Sequence, residues 1–76
     1  MTTTPHPFRT GVAAEVRAEL ARQGKKPADL EQILGKSRPT IALRFNGSVA
    51  WDADELGRIA DALGVPPETF IPRGAA

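Results

Sequence analysis

Apolar positions recur along this chain with helical spacing and nowhere alternate as they do in a strand. Val12, Val16 and Leu20 stand four apart with Ala13 beside them. They predict a first helix over about 11–23, with Thr10 as N-cap and Gly24 as stop. Leu30, Ile33 and Leu34 predict a second helix over about 27–34. Pro27 suits its first position, having no N–H to leave unpaired, and Gly35 ends it. Lys26 is a poor N-cap, so the local sequence does little to anchor this start. A third helix is predicted over about 38–46, with Ser37 as N-cap, Pro39 tolerated in the first turn and Gly47 as stop. The few residues between the second and third helices force a tight turn, as in a helix-turn-helix.

The fourth helix has the strongest local signature. In "WDADEL" Asp52 is the N-cap and Glu55 its N3 partner, a capping box, while Trp51 and Leu56 form the matching hydrophobic staple. Leu56, Ile59, Ala60 and Leu63 make its buried stripe and Gly64 ends it. After Val65-Pro66-Pro67, residues 67–71 make one last helical turn with Phe70 inward. The expected architecture is all-α, a compact five-helix domain over 10–71. A flexible arm over 1–9 precedes it and a frayed tail over 72–76 follows. Seventy-six residues allow one such domain with one small core.

Composition narrows the chemistry. The chain has no cysteine, hence no disulfide and no thiolate metal site. Its single histidine, His6, stands between prolines in the arm, and no glycine-rich phosphate loop is present. Asp52/Asp54 and Glu15/Glu19 look like a cap and a solvated helix face, not a catalytic pair. An enzyme is therefore rejected, and no metal, cofactor or small-molecule ligand is expected. No apolar run approaches the ~20 residues of a membrane span and no signal pattern opens the chain, so a soluble, cytoplasmic protein is expected.

Net charge is only +1, but it is unevenly placed. Between Ile33 and Trp51 stand Lys36, Arg38 and Arg44 with no acid, whereas residues 52–71 hold five acids against Arg58. That asymmetry implies a local anion-binding face or a chance cluster on a solvated one. Turned at about 100° per residue, the third helix puts Ile41 and Phe45 on the core side. Pro39, Ala42, Leu43 and Asn46 lie roughly opposite, Thr40 and Arg44 lie along one flank, and Arg38 along the other. An exposed face of small, apolar and hydrogen-bonding groups edged by arginines suits a DNA major groove. There arginine can donate two bonds to guanine and apolar groups can meet the thymine methyl. The helix start at Ser37 adds an anion site. Two bland readings stay open. Leu43 could be a dimer contact or pack under the following loop, and Arg44 could pair with the acids of the fourth helix.

The strings "LEQILGKSRPTIALRFNG" and "DELGRIADALGVPPETF" resemble the Cro/phage-repressor helix-turn-helix family, the lambda repressor-like DNA-binding domains, over about 12–71. "SRPTIA" is similar to the family's recognition-helix start and "RFNG" to its end. The resemblance implies that the third helix is the recognition helix and that the second crosses the DNA backbone. It implies base contacts at Arg38, Pro39 and Leu43, with Thr40 beside them. Backbone contacts are implied at Ser37, Asn46 and Ser48, and the cations Lys36 and Arg44 are expected to add to them.

Three positions depart from the family pattern. A small residue usual in the second helix is here Glu31, so either the helices separate slightly or Glu31 leans out to solvent. A polar residue usual at the start of that helix is here Pro27, and an apolar one before it is Lys25. Lys25 and Lys26 are expected to replace the lost backbone contacts as simple charge. The expected function is a sequence-specific double-stranded DNA-binding regulator, a small phage- or prophage-type repressor or Cro-like protein. The alternative is a protein-interaction module on the same fold, an antitoxin or anti-repressor, using Leu43 and Val49. A homodimer through Val65, Phe70, Ile71 and the tail, and a monomer on an asymmetric site, both stay open.

Overall fold

The computed structural model describes residues 7–72. Within them lie four α-helices: α1 (Pro7–Arg22), α2 (Asp29–Leu34), α3 (Arg38–Phe45) and α4 (Ala53–Leu63). The expected fifth helix is a single 3-10 turn, Pro67–Phe70. Four residues behind two prolines give room for i→i+3 bonds only, as in the bond from Thr69 N–H to Pro66 C=O.

Helix α1 begins at Pro7, four residues before the expected start, so Pro7, Phe8 and Arg9 belong to the helix and Thr10 lies inside it rather than capping it. Proline in the first turn has the right φ for a helix and no N–H to satisfy. The rest of the expected arm, residues 1–6, lies outside the described residues. Gly11 is tolerated inside α1 because something must pass close to it. A Cβ at this position would come within 2.6 Å of the Pro72 side chain. Pro72 therefore packs back onto α1 and is not frayed, and residues 73–76 of the expected tail lie outside the described residues.

Helix α2 is anchored by a bond the residue types at its start did not announce. Asp29 accepts from the Lys26 N–H at 2.8 Å, fixing the turn that leads into the helix. Pro27 and Ala28 form a tight turn of i→i+3 bonds before the α-helix proper. At the other end Gly35 adopts φ 65°, the left-handed region, and the Lys36 N–H donates back to Glu31 C=O at 3.2 Å. That closure turns the chain directly into α3. For α4 both halves of the expected capping box form. Asp52 Oδ1 accepts from the Glu55 N–H at 2.7 Å, and Glu55 Oε1 accepts from the Asp52 N–H at 3.0 Å.

The core is one cluster. Val12, Val16 and Leu20 of α1 meet Leu30 and Leu34 of α2, Ile41 of α3, Ile59, Ala60 and Leu63 of α4, Trp51 of the loop before α4 and Phe70 of the 3-10 turn. Helix α1 packs on α3 and on the 3-10 turn, while α4 packs on α2 and on the same turn. Phe70 is fully buried, so of the three side chains suggested for a dimer contact only Ile71 is exposed; Val65 is half-covered. Glu19, expected on a solvated face, is also buried. Its carboxylate accepts from Arg22 Nη1 at 2.6 Å and from Gln23 Nε2 at 2.9 Å. Gln23 Nε2 in turn donates to the Leu63 C=O at 2.8 Å, tying the end of α1 to the end of α4.

Candidate nucleic-acid interface

Helix α3 divides as its spacing implies. Ile41 is buried, and Arg38, Pro39, Ala42, Leu43 and Asn46 are exposed. Phe45 is half-covered. Its ring meets Trp51 edge-on, centroids 5.2 Å apart at 82°, and the Arg17 guanidinium of α1 lies 4.8 Å from its centroid. A cation over an aromatic face is attracted by the ring quadrupole, so Phe45 holds Arg17 beside α3. Ser37 has the extended backbone of an N-cap, but its hydroxyl makes no cap bond. It pairs instead with the Thr40 hydroxyl, 2.9 Å away. Asn46 Oδ1 accepts from the Ser48 N–H at 2.9 Å, which shapes the loop leaving α3.

Arg44 takes the inward role among those the sequence left open. Its side chain is 13% exposed, Nη1 donates to the Thr40 C=O at 3.1 Å, and Nε lies 2.8 Å from Glu55 Oε2. The Nε–H is not aimed along that line, so the contact is an ion pair rather than an aligned hydrogen bond. Lys36 Nζ approaches the same oxygen at 3.8 Å. The cap of α4 is thereby the counter-ion of α3.

Lys25 and Lys26 are exposed in the loop before α2, and Ser48 is exposed just after α3. Arg38 is exposed but has a partner. Its Nε lies 3.2 Å from Glu31 Oε2 across the turn between α2 and α3. Glu31, with 30% of its side chain exposed, thus reaches across the turn to Arg38 rather than standing alone in water. A cleft of about 450 Å³ opens on this side, floored by Pro27, Ala28, Ile41, Ala42 and Phe45 and rimmed by Arg17, Glu31, Arg38 and Asn46. Arg17 and Glu31 are the rim residues that helix periodicity alone did not single out. Their signal is tertiary, since it needs α1 and α2 set against α3. Among the described residues no group of three or more acidic or histidine side chains gathers as a metal site, and no helix is long and apolar enough to cross a membrane.

Four short helices, with α2 and α3 joined by a left-handed glycine turn and α3 presented outward, define a helix-turn-helix domain. The helix-turn-helix family model matches residues 16–70, and the chain belongs to that family, of Cro/C1 (XRE) type. The match spans α2, α3 and α4 entire, together with the second part of α1. No curated protein and no solved structure matches the chain. The family is one of DNA-binding transcription regulators that act on double-stranded DNA and are not normally enzymes.

Proposed function

We propose that this protein is a small repressor of phage or prophage type that occupies an operator with α3 in the major groove. One observation carries the reading. The outward face of α3, from Arg38 to Asn46, has no element of the described fold packed over it, and it leaves the apolar Leu43 44% exposed. In this reading Arg38 contacts guanine, Pro39 and Leu43 meet apolar base edges, and Thr40 lies beside them. Lys25, Lys26, Lys36, Ser37, Asn46 and Ser48 lie along the phosphates. Arg44 acts from behind, bracing α3 against α4, and is not counted among the phosphate contacts. The cations left for phosphate are Lys25, Lys26 and Lys36, so binding is salt-dependent with a slope set by these few. The log–log slope should be about −3 per subunit, at roughly −0.9 per neutralised phosphate.

Selection of bound sequences from a random DNA pool tests this reading. A recovered consensus is the expected result, and a palindrome with half-sites about one helical turn apart means a dimer. No mobility shift even at low salt overturns it. That outcome favours the second reading, a protein-interaction module, for which the exposed apolar pair Leu43 and Val49 is the supporting observation.

A further inference from the structure

The ion pair between Glu31 and Arg38 joins two helices at the edge of the face proposed to enter DNA. An ion pair this exposed adds little to stability. Arg38 keeps 79% of its side-chain surface open and Glu31 keeps 30%. Glu31 is the one acid among the residues lining the cleft, and Arg17 and Arg38 are the cations there. The contact reaches Arg38 through Nε alone. A guanidinium carries five N–H groups in one plane, one on Nε and two on each Nη. Engaging Nε leaves all four Nη–H groups open, including the pair on the far edge that matches the two acceptors of guanine, O6 and N7.

We propose that Glu31 is a positioning residue: it holds Arg38 end-on to the groove and so determines base specificity at the position Arg38 reads. The inference rests on the α3 reading above and adds its specificity device. A long arginine loses rotamer freedom when it binds a base. A partner that restrains it beforehand lowers that cost, and lowers it most for the base whose acceptors match the restrained geometry. The same carboxylate repels phosphate, so it weakens binding to every sequence while favouring one base. That repulsion is common to all sequences, so discrimination rises through the restraint on Arg38 alone.

Binding of wild type, Glu31→Gln, Glu31→Ala, Arg38→Ala and the double variant Glu31→Ala/Arg38→Ala to the selected operator and to all single-base variants of it tests the inference. Thermal melts run alongside; Glu31→Gln and Glu31→Ala should melt close to wild type. At the base pair whose preference Arg38→Ala abolishes, discrimination should fall roughly 3- to 10-fold in Glu31→Ala, the range expected for freeing one side chain. The fall should be smaller in Glu31→Gln, whose amide oxygen still accepts a bond. Affinity for random DNA should rise in both, and Glu31→Ala should change nothing further at that base pair in the Arg38→Ala background. Unchanged or sharper discrimination in Glu31→Ala overturns the inference, because the carboxylate is then a bystander or a competitor. A change confined to another base pair also overturns it, because Glu31 then acts on DNA directly. If Arg38→Ala alters no base preference while wild type still selects a consensus, the inference falls and the DNA-binding reading stands. If wild type selects nothing, both fall.

Discussion

Glu55 should be the most costly polar side chain to remove in this protein. It is 3% exposed, and its carboxylate serves three elements. One oxygen closes the capping box on Asp52 N–H, and the other neutralises Arg44 of α3 at 2.8 Å with Lys36 at 3.8 Å. Glu55→Ala removes half of the capping box, about 0.5–1 kcal/mol. It also strands a guanidinium that is 13% exposed. Breaking a buried pair from one side costs about 3–5 kcal/mol. The low end applies because Arg44 keeps its bond to Thr40 C=O and has some access to water. The sum is about 3–4 kcal/mol, against a total stability of roughly 4–11 kcal/mol for a domain of this size. The melting temperature should fall by about 12–30 °C. Glu55→Gln keeps an oxygen for the cap and removes only the charge, so it should cost about 2–3 kcal/mol. Replacing both charges, as in Glu55→Gln/Arg44→Met, should recover most of that loss. Urea and thermal melts followed by circular dichroism measure all three. If Glu55→Ala and Glu55→Gln both lie within about 0.5 kcal/mol of wild type, the pair is solvated and the reasoning fails.

Three further outcomes are expected. Arg38→Ala should weaken binding to the selected operator by about 1–3 kcal/mol while leaving the melting temperature near wild type, measured by titration at fixed salt; equal affinity removes Arg38 from the base contacts. Gly35→Ala should destabilise by about 1–2 kcal/mol, since nothing lies within 4 Å of its added carbon and the cost is the left-handed φ of 65° alone; a neutral result in urea melts would mean the turn is remade. The Gln23 amide, followed by Arg22, holds the Glu19 carboxyl below its ordinary pKa, and burial opposes them only in part. Its folded pKa is depressed, so its contribution is present above the unfolded pKa and is lost as pH falls through the folded one. Wild type should lose more stability than Glu19→Gln across that acid window, and parallel losses would refute the assignment.

Much of the fold was legible because its signals are local. The capping box at Asp52 and Glu55, the glycines after α2 and α4, and the stripes on α1 and α4 each lie within one or two turns of chain. The misses arose where a local rule met a tertiary contact. Thr10 and Gly11 suggested a helix start, yet α1 runs through both, and Pro72 occupies the space a side chain at Gly11 would need. The segment at Pro67 carried helix signals but was too short for more than one 3-10 turn. Glu19 belongs by sequence to a polar face, yet it is buried, its carboxylate bonded to Arg22 and to Gln23, whose amide also reaches the Leu63 carbonyl at the end of α4.

The candidate site divides in the same way. Which side chains of α3 face outward followed from the sequence by itself, because a helix repeats every 3.6 residues whatever it packs against. The helix-turn-helix connection was legible too, since Gly35 and the short link leave the chain little choice. What each outward or flanking arginine does was decided only by the tertiary structure. Arg38 and Arg44 both edge the same helix, yet one lies beside Glu31 in water and the other is held inward by Glu55. Charge acts through space, so its partner is set by which helices lie alongside, and periodicity within one helix carries no record of that.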